Sequence, residues 1–138
     1  SHGLMLLTND GELCHRLLSP QFKQAKQYIV TVKPMFWRVQ AHGTSLDDNV
    51  AQKLSTGVLL DNQLTLPCSV ILVSDNCFSI TLKQGLNRQI RRMVKSQGFI
   101  VTDLKRVSFA GLELGELPLG TMRSIDDEER HNLLVCSD

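Results

Sequence analysis

The stretch Lys83-Gln-Gly-Leu-Asn-Arg-Gln-Ile-Arg-Arg-Met-Val-Lys95 constrains this chain more than any other part of it. It carries five basic residues, Lys83, Arg88, Arg91, Arg92 and Lys95, and no acid, in a protein of formal net charge +1. Gly85 separates a strand-like run, Cys77 to Lys83, from a helix-like run, Arg88 to Gln97. Stepping that helix at ~100° per residue gathers Ile90, Met93 and Val94 on one face and Arg88, Arg92 and Lys95 on the opposite one. Arg91 falls on the flank between them. The first turn of a helix already carries partial positive charge and unpaired N–H groups. Arginines there cost roughly a few tenths of a kcal/mol each. Dipole and side chains together make an anion site suited to phosphate.

The rest of the chain sets bounds. Its 138 residues fit one domain, residues 1–138, with a modest core. No run approaches the ~20 apolar residues of a membrane span. The apolar run near the N-terminus is too short and uncharged for a signal peptide. The chain does not start with Met, so it is expected to be processed or cut from something longer. Cys14, Cys68, Cys77 and Cys136 form no C-x-x-C pair, which argues against zinc and thioredoxin chemistry. They read as reduced thiols of a cytoplasmic protein. His2, His15, His42 and His131 lack metal-ligand spacing. Gly111 to Gly115 has the wrong glycine count for a phosphate loop and two acids close by.

Charge is polarised along the chain. Lys83 to Arg106 holds seven basic residues against one acid, Asp103, whereas Gly111 to Asp138 holds seven acids against two arginines. The positive part, extended by Lys105 and Arg106, marks a nucleic-acid face.

Periodicity predicts the elements. Leu4 to Leu7 reads as a short buried strand. A helix to about Leu18 follows, with Asn9 and Glu12 spaced as a capping box and Ser19-Pro20 as its stop. Gln27 to Val32 is a β-branched strand. Lys33 to Thr44 has no assignable pattern. Ser45 to Ser55 is helical, with Ser45 and Asp48 as its capping pattern and Gly57 as a stop. Two hairpins follow, turning at Asp61-Asn62 and at Ser74-Asp75-Asn76. In the second, Phe78 should face Val73 and Ile80 should face Ile71. Phe99 to Phe109 is a long extended run, and a terminal helix starts near Ser124. The fold class is α+β, a mainly antiparallel sheet flanked by helices.

Four segments occur in a telling order: Gly3 to Leu13, Lys26 to Val32, Gly85 to Met93 and Leu117 to Ile125. Together they resemble the RsuA-type branch of the ribosomal RNA pseudouridine synthases, the group of RsuA, RluB, RluE and RluF. The wording of Gln84 to Met93 is closest to RluF-type members. The resemblance covers nearly the whole chain except Lys33 to Thr44, which is longer than the family's usual connection. It implies a pseudouridine-synthase-like catalytic domain that flips a uridine, breaks its glycosidic bond and rejoins the uracil through C5. It implies no cofactor and no metal, RNA as partner, no membrane and a monomer.

The family's aspartate lies in an Arg-Leu-Asp-x-x-Ser/Thr-x-Gly-Leu motif, of which Ser1 to Leu4 matches only the end. The chain is therefore expected to be a C-terminal catalytic fragment, inactive alone. By position, Tyr28 matches the tyrosine that packs on the flipped base, and Arg91 the basic partner of the aspartate. Lys83, Asn87, Arg88, Gln89, Arg92 and Lys95 are then RNA contacts, with Lys105 and Arg106 as additions and Ile90 in the core or pocket wall. A non-catalytic, ribosome-associated RNA-binding module remains an alternative reading.

Overall fold

A computed structural model describes residues 1–19 and 24–136 of the chain. Pro20, part of the expected helix stop, and the Cys136 side chain lie outside what is described. One sheet organises the molecule, in the order β1 (His2–Gly3), β7 (Phe99–Phe109), β2 (Lys26–Pro34), β6 (Cys77–Leu82), β5 (Ser69–Ser74). β8 (Leu112–Glu113) folds back on the end of β7, and β3 (Leu59–Leu60) pairs β4 (Gln63–Leu64) in a separate hairpin. Every pairing is antiparallel except β1 on β7. The α+β expectation therefore holds.

Alternation along β2 and β6 sends Val30, Val32, Phe78, Ile80 and Leu82 into one core. Helices α3 (Asp48–Thr56) and α4 (Gln89–Ser96) contribute Val50, Leu54, Ile90, Met93 and Val94 to it. Each such side chain contributes roughly 1.5–3 kcal/mol by leaving water. Ile90 thus lies in the core. A second cluster joins Leu17 of α1 (Gly11–Leu18), Phe109, Leu112 and Leu133 of α5 (Asp127–Cys136), with Leu4 and Leu6 against it.

Several local expectations need correction. Leu4 to Leu7 is not a strand: only His2 and Gly3 pair with β7, because Leu4 and Leu6 turn into the second cluster instead of extending the sheet. The cap of α1 is Asp10, not Asn9, its carboxylate accepting from Leu13 N at 3.1 Å. Likewise Asp47, not Ser45, caps α3 and accepts from Val50 N at 2.9 Å. Lys33 and Pro34 complete β2, and Phe36–Ala41 forms a short helix, α2. In the β5–β6 hairpin, Ser74 faces Cys77, but Val73 is an extra, unpaired residue. Phe78 therefore faces Leu72, and Ile80 faces Val70. Cys14, Cys68 and Cys77 are free. No helix among the described residues is long and apolar enough to cross a membrane.

Candidate active site

Tyr28 sits at the centre of the sheet, opposite Ile80 on one side and Arg106 on the other. It is half-buried and packs against the main core. Val107 is an extra residue of β7 beside this point, since Gln27 faces Ser108 while Tyr28 faces Arg106. A bulge re-aims the strand locally and alters which side chains converge.

Arg106 is held on three sides. Its Nε donates to the Leu4 carbonyl at 2.9 Å, its guanidinium lies 5.0 Å from the Phe109 ring, and its own carbonyl accepts from Leu4 N at 2.8 Å. The approach of β1 is so close that a side-chain carbon on Gly3 would stand 2.3 Å from the Arg106 oxygen. Gly3 also adopts φ +114, a region that favours glycine. Gly3 of the sequence motif is thus needed to bring the start of the chain against β7.

Lys26 completes the cluster. Burial and the neighbouring Arg106 charge push its ammonium below the usual lysine range. Its Nζ lies 2.9 Å from where a side chain on Gly85 would begin, so it reaches the loop leading into α4. Two half-buried cations without an intervening acid favour an anion between them. Sequence reasoning passed over Lys26, although its place two residues before Tyr28 puts both on one face of β2.

The loop into α4 is braced from within. Gln89 is 5% exposed; its Oε1 accepts from Leu86 N at 3.0 Å and its Nε2 donates to Gln84 Oε1 at 3.1 Å. Gln84 Oε1 also accepts from Leu66 N at 3.0 Å. Gln89 therefore faces inward and braces the loop that carries the expected RNA contacts. Arg88 precedes the helix in the left-handed region, φ 50, and α4 starts one residue later than expected.

The remaining cations divide. Lys83, Asn87, Arg88 and Lys95 are exposed, and Arg91 is half-buried on the first turn. Arg92 is engaged: its Nη1 meets Asp61 Oδ2 at 2.6 Å and its Nε donates to the Asn87 carbonyl at 2.9 Å. Lys105 is half-buried and lines a cleft of about 730 Å³ between Leu4–Leu7 and Leu117–Ile125. That cleft is mainly apolar, and neither Tyr28 nor Arg91 lines it. The Leu117 to Ile125 motif is thus one wall of a cleft that Gly3 and Leu4, the contacts of Arg106, also line.

Comparison with known proteins matches this geometry to a family. The family described as RNA pseudouridylate synthase matches residues 1–96. The dual-specificity RNA pseudouridine synthase RluF of Salmonella typhi is 37% identical over 130 residues, covering 94% of this chain and 41% of that protein. Its namesake in Escherichia coli K12 is 36% identical over the same share. The ribosomal large subunit pseudouridine synthase B of Bacillus subtilis is 32% identical over 142 residues, 99% of this chain and 54% of its own. A crystal structure of a pseudouridylate synthase superposes with a TM-score of 0.83 at 28% identity, covering 95% of this chain and 54% of the other. The chain spans about half, or less, of the length of these relatives. On the family match, the identities and the shared fold, this chain belongs to the RNA pseudouridylate synthase family, among its RluF- and RsuA-type members.

Proposed function

We propose that the chain is the C-terminal part of the catalytic domain of an RNA pseudouridine synthase acting on ribosomal RNA in the cytoplasm, as a monomer. The observation that carries this reading is the meeting of Gly3-Leu4, Arg106, Tyr28 and Lys26 across three adjacent strands. β1 lies two strands from β2, so the backbone of Gly3, level with Arg106, is separated from that of Tyr28 by roughly 10 Å at ~4.8 Å per strand.

In that arrangement Tyr28 offers its half-exposed ring to a uracil rotated out of the RNA stack. Arg91 forms no ion pair among the described residues, unlike Arg92, and is free to hold the aspartate ionised and oriented. Lys26 and Arg106 meet the phosphate of the flipped nucleotide or the aspartate itself. Lys83, Asn87, Arg88, Arg92, Lys95 and Lys105 contact the flanking backbone. Gln89 and Ile90 set the loop and the pocket wall.

The test uses ribosomal RNA transcribed with uridine tritiated at C5, since forming the new carbon–carbon bond releases that hydrogen to water. The 138-residue chain should release none, and a chain extended through its encoded upstream residues should release it catalytically. Tight RNA binding by the extended chain without release would instead identify a non-catalytic RNA-binding module.

A further inference from the structure

Helix α2 is poorly explained by stability. Its six residues expose Phe36 at 78%, Trp37 at 48% and Val39 at 45%. Yet the chain buries Arg38 to hold this helix in place. The Arg38 guanidinium lies 4.5 Å from the Phe99 ring centre, 3.7 Å from an Asp47 oxygen and 3.4 Å from the Gln97 carbonyl. Its Nε is buried with no hydrogen-bond partner among the described residues, an arrangement that costs stability.

What this anchoring fixes is Trp37. One edge of the indole lies against Gly98, where a side-chain carbon would stand 2.9 Å from its ring atoms. Gly98 has φ +89, so the position suits glycine on both counts. His42 meets the indole edge-on, with ring centres 6.4 Å apart and planes at 87°. The ring is immobilised on one side and open on the other. Trp37, His42 and Lys53 line a cleft of about 130 Å³ whose far wall is Ser96 and Gln97 at the end of α4. That is well below the roughly 300–1,000 Å³ of ligand pockets, which suits one planar ring and not a whole free ligand.

From this arrangement we infer that Trp37 is a stacking platform for an unpaired base of the RNA, lying beyond the flipped nucleotide along the basic helix. The inference rests on the RNA-modifying reading of the chain. Continuity carries it: α4 brings Arg88 and Arg91 near one end and Lys95 near the other, and runs about 12 Å into the Trp37 cleft. Exposed Lys53, which lines the cleft, supplies charge for a phosphate, while Asp47, in contact with the Arg38 of the cleft wall, is engaged by Arg38 and by Val50 N. An aromatic face flanked by cations is the chemistry by which single strands are held without sequence readout.

Trp37 is the single tryptophan of the chain, so its emission reports on the platform alone. The experiment titrates a dye-labelled single-stranded RNA oligonucleotide into the 138-residue chain, following RNA anisotropy and tryptophan emission together. Emission should be quenched in step with binding. Trp37→Ala should weaken affinity roughly 5- to 150-fold, the usual range for losing one base stack, and Trp37→Phe less, with circular dichroism confirming that both fold. Binding with unmoved emission and an unchanged Trp37→Phe affinity overturns the platform alone. No RNA binding by the parent chain overturns the platform together with the functional reading. Emission that shifts with chain concentration in the absence of RNA assigns the surface to a protein contact and also overturns it.

Discussion

Arg92 of α4 reaches across to Asp61 in the β3–β4 turn, with 2.6 Å between guanidinium and carboxylate. Asp61 itself is held at φ 49, a left-handed position that Asn tolerates well. The pair is exposed, so it adds little to stability, but it engages a cation proposed above to meet an RNA phosphate. Asp61→Asn should therefore tighten RNA binding by roughly 1.5- to 5-fold at low salt and shift folding stability by less than about 1 kcal/mol. Dissociation constants for parent and variant at two salt concentrations check this. Equal affinities at low salt would mean that Arg92 faces no phosphate.

Gly3→Ala should act locally. The new methyl would collide with the Arg106 backbone in a region of φ that costs about 1–3 kcal/mol for a non-glycine residue. β1 is a two-residue edge strand, so the loss is expected as faster hydrogen exchange at Leu4 N with little change in the global melting temperature. In a chain extended upstream, the displaced start should lower turnover by about 100-fold.

In the same extended chain, Arg91→Ala should lower turnover by at least about 100-fold, since the aspartate loses both its charge partner and its orientation. Arg91→Lys should keep more activity, because the charge survives while the planar fork is lost. Arg92→Ala should affect binding more than the rate at saturating RNA. Single-turnover kinetics separate the two, and the opposite ranking would reverse the assignment within the pair.

Salt should dissect the RNA-facing surface. Each phosphate contact contributes a slope of about 0.7 in log affinity against log salt for a single strand. Arg88→Ala and Lys95→Ala should each shallow the slope by about that amount and weaken all RNAs alike. Tyr28→Ala should leave the slope unchanged and lower turnover, because it removes a surface for the base and no charge.

The terminal helix carries a pH-dependent element. Glu129 is held down to about 2, first by its bidentate hydrogen bonds to Arg123 at 2.7 Å and then by the Asp126 N–H. A carboxylate depressed in the folded state stabilises fully above its unfolded value, and that contribution fades as pH falls through the folded one. The melting temperature of the parent should exceed that of Glu129→Gln at neutral pH, and the gap should close between about pH 4 and pH 2. A gap that persists at the acid end would show that the pair stabilises through packing alone.

Much of this architecture could be read from residue order, where the signal is periodic. β7 spans Phe99–Phe109 as its extended run predicts, and α4 buries Ile90, Met93 and Val94 as the helical step requires. The failures lie where one residue breaks the period. The extra Val73 shifts the β5–β6 register by one, and no residue type marks such a bulge in advance. Caps moved by one or two positions because Asn9 and Asp10, or Ser45 and Asp47, all qualify chemically. At the site, Lys26 was missed because its surroundings come from Gly85 and Arg106, which only tertiary contact brings near. Arg92 likewise found its partner 31 residues away.

The unpaired Val73 has a further consequence at the rim of the sheet. β5 is an edge strand, and it exposes Ile71 and Val73. An unbroken apolar rim of this kind is a template on which another chain can add a strand and start a fibril. One surplus residue interrupts the ladder at its turn end and increases the local twist there. The irregularity that misaligns the hairpin thus limits the regular rim to Ser69–Leu72, too short a run for an extended added strand.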